Sequence, residues 1–472
     1  MLTTSYCSGE SITSNSEVYI EDPFVTSGLI AIEALTGKLY EECSREDLEK
    51  HATQLVSWYL TKSFQRELYS LFPNGTYVNP SIKDKKGKST EFLINLISSR
   101  DKGVPKSEIC QLCGRPAKSE PYAKDTIPLV GSGKSVNFFP SLQAGIHVCP
   151  RCVLAIHTAP ITFCKIGGKP ALVSSSDYDL LKYYAKEAVS ELNSKIAANA
   201  LIDGETSAIL DYDYRSPANA IFNLAYKFGT EYVDKDQCNK RARNETIVVY
   251  RIDNYLQGGK GVTVYKLPSG TFSFIASLMH DRATKKKWFS FIGRYYEGKT
   301  KTDEDIRKVG WNRIHNKLLN GESIIREFRE DRMRHLKSIN NEKSQGIIIE
   351  PLPYRVIEAY MHEVRAMHKE RLEKIKTFAD SISDIIEPSP KKRINGLISA
   401  KTVEEFRNQL RLIMADAQKS GAKEPLISFD DFAKVLIPGD YRGWTEIRDL
   451  IIIRIYENLH DVLAIDDESE DI

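Results

Sequence analysis

Two cysteine pairs place the strongest constraint on how this chain can fold. Cys110 and Cys113 bracket "CQLC", Cys149 and Cys152 bracket "CPRC", and 35 residues separate Cys113 from Cys149. Two cysteines spaced in this way can bend around one Zn²⁺ ion, and two such knuckles complete a tetrahedral site of four sulfur atoms. We therefore predict one bound Zn²⁺. Because four sulfur ligands leave no open position for water, the metal is expected to stabilise the fold and to take no part in catalysis.

The remaining cysteines show no ligand spacing and are predicted to be ordinary thiols: Cys7, Cys43, Cys164 and Cys238. Disulfides are not expected, because the N-terminal stretch "MLTTSYCSGESITSN" has neither the basic nor the apolar segment of an export signal. No apolar run approaches the roughly 20 residues needed to span a bilayer. The sequence predicts a cytoplasmic protein with no membrane partner.

Charge is distributed unevenly along the chain. The formal net charge is only +2. Residues 235–343 nevertheless carry 24 Lys and Arg against 13 Asp and Glu, whereas residues 461–472 carry six acids and no base. A basic middle segment in a nearly neutral protein favours a surface that binds a polyanion such as nucleic acid. Solvated helix faces are the alternative explanation.

The hydrophobic periodicity predicts an α+β, multidomain fold: a mixed α/β N-terminal part with a zinc-binding insert of four cysteines, and a C-terminal helical bundle. We divide the chain into four segments. These are a mainly helical segment 1–108, the zinc-knuckle region 109–165, a central α+β region 166–350 with a basic surface, and a helical bundle 351–472 with an acidic tail.

Local patterns refine this division. Three runs rich in β-branched and aromatic residues predict a small antiparallel sheet: "ETIVVYRIDNYL", "GVTVYKL" and "GTFSFIASLM". A long amphipathic helix is predicted after an Asp cap in "DYDLLKYYAKEAV", and a single helix over 354–386. Ser428 is the predicted cap of a short helix in "SFDDFAKVLI".

The candidate nucleic-acid contacts lie in the basic middle segment. The loop "QGGKG" combines three glycines with one lysine, so its backbone can approach a phosphate closely. Lysines and an arginine in "KKKWFSFIGR" stand next to aromatic residues, a composition that suits phosphates and unstacked bases. The candidates are Arg241, Arg243, Asn254, Gln257, Gly258, Gly259, Lys260, Lys285, Lys286, Lys287 and Arg294. Trp288, Phe289 and Phe291 are predicted to be core residues.

The sequence contains no recognisable active site, so we expect a binding protein and not an enzyme. Zinc-containing HNH nucleases also pair CxxC knuckles, but they need catalytic histidines between the knuckles, where His147 alone stands. His157 follows the second knuckle. The stretch "GSGKS" has Pro128 where a phosphate-binding loop needs its first glycine.

The order of these parts resembles a known family. A chain near 500 residues with "CQLCGRPA" and "HVCPRC", then "NYLQGGKGVTVYKLPSG", then a helical last third is similar to the CXXC-CXXC family of CRISPR-associated proteins. That family supplies the large subunit of type I-B Cascade, the RNA-guided surveillance complex of prokaryotic antiviral defence. The resemblance implies antiviral defence as the role of this chain.

The resemblance also implies partners and a division of labour. A large subunit lies near the 5′ end of the guide RNA, recognises the protospacer-adjacent motif in double-stranded target DNA, and supports R-loop formation. It contacts other Cascade subunits, and its helical part follows the displaced strand and helps to recruit the helicase-nuclease. Base pairing reads the target sequence, and the protein reads the short motif. Two alternatives stay open: a stand-alone zinc-ribbon DNA-binding factor, and an HNH-like nuclease.

Overall fold

The computed structural model describes residues 22–102, 108–131, 145–232, 246–253, 261–298, 303–342, 349–386, 388, 390–422, 425–436 and 443–465. Within these ranges the chain forms two compact units. The first takes its described residues from Met1–Ala220 and Ile247–Lys266, and the second from Ile221–Thr246 and Leu267–Ile472. The predicted α+β, multidomain fold with a helical C-terminal part is confirmed. The four-segment division of the sequence stays a prediction.

The helices of the first unit are α1 (Pro23–Thr36), α2 (Arg45–Tyr59), α3 (Lys62–Leu71), α4 (Lys85–Lys102), α5 (Pro150–Thr158) and α6 (Tyr178–Ala197). Their first turns are fixed by side chains that accept backbone N–H groups. Ser44 and Asp47 form a capping box at α2, and the predicted Asp cap of α6 is Asp177, which accepts from the N–H groups of Asp179 and Leu180. One apolar core joins these helices.

A five-stranded sheet completes the first unit. Its strands are β3 (Cys164–Ile166), β4 (Lys169–Ser175), β5 (Leu210–Asp211), β6 (Ile247–Ile252) and β7 (Val262–Leu267), arranged in the order β5-β3-β4-β6-β7. β4 is antiparallel to β3 and β6, whereas β3 and β5 are parallel. The sequence therefore predicted β6 and β7 correctly, but they belong to a larger, mixed sheet.

The second unit is mainly helical. The chain enters it through α7 (Pro217–Lys227) and returns to the first unit for β6 and β7. The helices that follow are α8 (Ser269–His280), α9 (Arg282–Gly293), α10 (Asp303–Val309), α11 (Arg313–Leu319), α12 (Ile325–Glu342), α13 (Tyr354–Glu363), α14 (Lys369–Ile386), α15 (Pro390–Ser399), α16 (Val403–Lys419), α17 (Trp444–Asn458) and α18 (His460–Ile465). Two short strands, β8 (Tyr296–Glu297) and β9 (Trp311–Asn312), pair antiparallel beside α10.

Two predicted elements are wrong. The run "GTFSFIASLM" forms α8 and not a third strand, and eight of the residues of α8 are buried. The run begins with the alternation Thr271, Phe272, Ser273, Phe274, which is typical of a strand. For a short and mostly buried run, periodicity does not distinguish a strand from a helix. The single helix predicted over 354–386 is two helices, because the chain breaks after α13 where Ala366 adopts φ +54°.

Helix packing in the second unit centres on α17. Six isoleucine and leucine side chains of α17 are buried. The helix packs against α12, α14 and α15. Arg329 of α12 donates from Nη1 to Oδ1 of Asp449 in α17 at 2.7 Å, and both side chains are buried. Thus α12, which precedes the predicted boundary at residue 351, shares the core of the C-terminal helices. Ser428 caps the short helix as predicted, accepting from the N–H of Asp431 at 3.0 Å.

None of the described helices is both long enough and apolar enough to cross a membrane.

Candidate metal centre

The structure brings the four predicted cysteines together. The sulfur atoms of Cys110, Cys113, Cys149 and Cys152 all lie within 4.8 Å of one another, and Sγ of Cys113 is 3.5 Å from Sγ of Cys149. A tetrahedral site with metal–sulfur bonds of about 2.3 Å places its sulfur atoms roughly 3.8 Å apart. The cluster is therefore close to the size that one ion requires. Three of the four cysteines are buried and Cys113 is half-buried.

A tight turn shapes the first knuckle. β1 (Glu108–Ile109) pairs antiparallel with β2 (Pro116–Ala117), and the N–H of Cys110 donates to the carbonyl of Arg115 at 2.7 Å. Gly114 adopts φ +73°, a left-handed conformation that residues with a Cβ rarely adopt. The glycine directly after "CQLC" thus allows the chain to curl back past the sulfur atoms.

A helix start shapes the second knuckle. Cys149 is the N-cap residue of α5, Pro150 is its first residue, and Cys152 lies in its first turn. Because free N–H groups and the positive end of the helix dipole favour negative charge at this end, α5 stabilises thiolates there.

Helix α5 also anchors the centre in the core of the first unit. All nine of its residues are buried. It packs against α1 at Gly28, where an added Cβ would come within 1.8 Å of the carbonyl oxygen of Ala155. Only glycine allows the two backbones to approach this closely. The second knuckle is therefore fixed to the packed helices, and the first is joined to it by the N–H of Gln111, which donates to the carbonyl of His147 at 2.9 Å.

The four thiols of the cluster differ in pKa. Hydrogen bonding from Cys113, Cys149 and Cys152 holds the pKa of the Cys110 thiol far below its usual range. The same contact with Cys110 is the main cause that raises the pKa of Cys149 and of Cys152 well above that range. Four adjacent sulfur atoms cannot all lose their protons unless a cation offsets their repulsion. The donor set, its spacing and its electrostatics all fit a bound metal ion.

The two histidines that could have suggested a nuclease have other roles. His157 is buried and stacks on Phe72 at a ring-centroid distance of 4.6 Å. Its Nε2–H donates to the carbonyl of Thr126 at 3.0 Å, and its Nδ1 accepts from the hydroxyl of Tyr77 at 3.1 Å. Burial lowers the pKa of His157 to about 4, so it is neutral near pH 7. The Nδ1–H of His147 donates to the carbonyl of Lys118.

Most of the predicted nucleic-acid contacts lie outside the described residues. These are Arg241, Arg243, Asn254, Gln257, Gly258, Gly259 and Lys260. The strands that flank the predicted loop are described: β6 ends at Ile252 and β7 begins at Val262. The N–H of Asp253 donates to the carbonyl of Gly261 at 3.0 Å, so the two described ends of this segment lie side by side.

The other four candidates lie on α9 or just after it. Lys286 is exposed, whereas Lys287 pairs with Glu350 at 3.3 Å and Nζ of Lys285 donates to the hydroxyl of Thr230 at 3.2 Å. Arg294 is bound to the buried carboxylate of Asp331. Arg294 therefore serves a contact inside the second unit, and Lys286 is the candidate most open to a partner. Trp288 and Phe291 are core residues as predicted, and Phe289 is partly buried against Tyr226.

Sequence reasoning missed a group of arginines beside the cysteines. Arg115 and Arg151 both reach Glu41, and Arg100 and Arg151 lie over the ring of Tyr40. The positions of Arg115 and Arg151, next to or inside the knuckles, were a signal in the sequence. Their convergence with Arg100, which lies on α4, could be seen only in three dimensions.

Comparison with known families gives one match. The model of a family described as CRISPR-associated protein (Cas_CXXC_CXXC) matches residues 103–164, the segment that contains all four cysteines. No curated protein and no solved structure matches the chain. The match supports a CRISPR-associated protein of the CXXC-CXXC family, with a cysteine cluster able to hold a metal ion.

Proposed function

We propose that this CRISPR-associated chain is the large subunit of a type I-B Cascade complex, with one Zn²⁺ held by its four cysteines. The observation that carries the proposal is the closed four-sulfur cluster inside the segment that the family model matches. The order of the remaining parts, with a glycine-rich sequence between β6 and β7 and helices at the end, agrees with the same assignment.

The chemistry of the cluster favours zinc. Zn²⁺ has no preferred geometry of its own and accepts four thiolates in a tetrahedron, and sites of this type are structural. The ion would be held by Cys110, Cys113, Cys149 and Cys152. Its positive charge would stabilise all four side chains as thiolates. These four side chains would then hold the two knuckles and the start of α5 in place. We propose no catalytic role for the site.

Nucleic-acid binding is proposed for two surfaces. One is the hairpin between β6 and β7, on the basis of the sequence of its loop. The other is the exposed side of α9 around Lys286. In this proposal the chain contacts the 5′ region of the guide RNA and the target duplex, recognises the protospacer-adjacent motif, and recruits the helicase-nuclease along the displaced strand. Base pairing by the guide reads the sequence itself.

Co-expression with the neighbouring genes tests the proposal. The chain should co-purify with a guide RNA and with partner proteins. Purification without RNA or partners, together with binding to free DNA, would instead support the stand-alone zinc-ribbon factor. Cleavage of DNA on addition of Mg²⁺ by the purified chain would support the nuclease.

A substitution in the loop separates two kinds of contact. Lys260→Ala should weaken binding to target DNA by about 1–3 kcal/mol if Lys260 reads a base, with loss of discrimination between motif variants. If Lys260 contacts a phosphate, binding should weaken equally for every motif and depend less on salt. Lys62→Ala, on α3 of the first unit, provides a control for loss of one positive charge. Unchanged binding by Lys260→Ala would remove the loop from the proposal.

A further inference from the structure

An open cavity lies beside the candidate metal centre, within the first unit. Its volume is about 260 Å³. Pockets that hold whole small molecules are larger, roughly 300–1,000 Å³, so this one suits a single phosphate-sized group. Its walls come from the loop after α1, the end of α4, the first knuckle and the start of α5.

Three guanidinium groups lie around this cavity, and two of them share one carboxylate. Glu41 pairs with Arg151 at 2.6 Å and with Arg115 at 3.8 Å. Arg100 lies over the ring of Tyr40 at 5.0 Å, and Arg151 lies over the same ring at 5.4 Å. Arg100 binds two backbone carbonyls and reaches no carboxylate among the described residues. The wall therefore carries an excess of positive charge over its only acid.

One nitrogen atom of these guanidinium groups also lacks a hydrogen-bond acceptor among the described residues. Arg151 lies on the cavity wall with a side chain that is 5% exposed, and its Nη1 has no hydrogen-bond partner within the described residues. A buried, charged N–H without an acceptor costs free energy. Arg151 belongs to the first turn of α5, where the helix dipole also favours negative charge. The helix start therefore favours an anionic oxygen at this wall, next to the surplus of guanidinium charge.

We infer that this cavity binds a phosphate group of a nucleic-acid backbone, an inference that rests on the proposed function. Guanidinium groups bind phosphate oxygens through paired N–H donors. Arg115, whose side chain is 47% exposed, forms the rim and meets the strand first. Arg100 flanks the phosphate, and Arg151 lies on the wall beside the helix start. The metal centre is then the scaffold that fixes two of the three arginines.

The thiolates suggest a competing role for the same arginines. Cys149 lines the cavity, and four thiolates with a divalent cation carry a net negative charge. The arginines could therefore serve only to offset the charge of the centre. The two roles differ in what the arginines affect: phosphate binding requires them for nucleic-acid affinity, and charge compensation requires them for metal retention.

The test uses the full chain with its metal and the variants Arg115→Gln and Arg100→Gln. Arg66→Gln on α3 is the matched control, because its side chain is 49% exposed and does not line the cavity. Binding of a short fluorescein-labelled DNA duplex is measured over a range of salt concentrations, and metal content is measured on each sample. The rise in Tm on addition of inorganic phosphate is measured for the same proteins.

The inference predicts that Arg115→Gln and Arg100→Gln each weaken duplex binding about three- to tenfold and make its salt dependence shallower by about one unit of log–log slope, with full metal content. Arg66→Gln should match the unaltered chain. Unchanged binding by both cavity variants overturns the inference, and so does metal loss without loss of binding. A Tm response to phosphate that depends on Arg115 while duplex binding does not would identify a free-anion site and also overturn it. Failure of the unaltered chain to bind nucleic acid would count against the proposed function itself.

Discussion

The knuckle region and the C-terminal helices of the second unit are stabilised in different ways. Around the four cysteines the regular structure consists of two strands of two residues each and the first turn of α5. In the second unit, α12, α14 and α17 pack through continuous apolar faces. Where local structure is sparse, one ion must supply the cross-links. Where periodic helices bury their own faces, no ion is needed, and charges are buried as pairs.

Loss of a cysteine ligand is expected to have the largest effect. Cys149→Ser should abolish metal binding and unfold the knuckle region, because the binding free energy of a structural Zn²⁺, about 10 kcal/mol or more, is also folding free energy. The measurement is metal content per chain together with solubility. Cys164→Ser is the matched control, since Cys164 is fully buried but lies outside the cluster. One equivalent of metal in a soluble Cys149→Ser protein would contradict the comparison.

Breaking a buried ion pair tests the second unit. Arg329→Ala leaves Asp449 buried, and burial already raises the pKa of that carboxyl. The unfolding free energy should fall by about 3 kcal/mol, the lower end for a broken buried pair, because Arg448 still donates to Asp449 at 3.0 Å. Chemical denaturation measures the change.

The double variant Arg329→Leu with Asp449→Leu is the informative partner. If packing and not charge stabilises these helices, it should be as stable as the unaltered chain or more so. A double variant as unstable as Arg329→Ala would mean that the ion pair itself holds α12 to α17. A fragment beginning at residue 351 lacks all of α12, so it should be less stable than either variant.

The comparison also explains what the sequence could predict. The cysteine cluster was predictable in full, because ligand spacing is a local pattern and one ion accounts for all four residues. β6 and β7 were predictable from alternating β-branched residues between turn residues. In contrast, α8 is short and mostly buried and its sequence begins with a strand-like alternation, so its local pattern did not identify a helix. The break at Ala366 depends on one backbone conformation.

Contacts between distant residues were beyond the sequence. Arg294 reads as a surface residue in a basic stretch, but its partner Asp331 lies 37 residues later, on α12. The cavity arginines come from three separate elements and converge only after folding. Sequence reasoning found the ligands of the candidate metal centre and missed the charged wall beside it for this reason.

The close approach of α1 and α5 allows a smaller, sharper test of the first unit. Gly28→Ala would place a methyl group against the backbone of Ala155, so the helices must separate. The expected loss is about 1–3 kcal/mol of unfolding free energy, measured by denaturation with metal present. Gly293→Ala, at the end of α9, is the control, because nothing lies within 4 Å of its added Cβ. Equal stability of the two variants would show that α1 does not fix α5.

Acid should destabilise both units through their buried histidines. Burial lowers the pKa of His51 and of His157 to about 4 in the first unit, and that of His315 to about 3 in the second. Each folded-state pKa lies below the unfolded value near 6.5, so each histidine's contribution is complete above pH 6.5 and is lost as pH falls toward 4. The slope is at most about 1.4 kcal/mol per pH unit for each histidine.

His51→Gln measures this slope. Its unfolding free energy should fall less steeply than that of the unaltered chain between pH 6.5 and 4.5. Because protonation of the cysteines acts in the same direction, the quantity of interest is the difference between the two proteins. His460→Gln, whose side chain is about half exposed, serves as the control. Parallel pH profiles for His51→Gln and the unaltered chain would contradict the buried, neutral state of His51.

The contact between α1 and α5 determines when the N-terminal core can form during protein synthesis. The hydroxyls of Ser27 and Thr162, which meet beside this crossing, are 135 residues apart in sequence. At a synthesis rate of about 5–20 residues per second, the segment that buries the apolar face of α1 is made on the order of ten seconds after α1 itself. That segment begins with Cys149 and Cys152. The last two metal ligands and the helix that buries α1 therefore leave the ribosome together, so the metal centre and the N-terminal core can form in the same stage of synthesis.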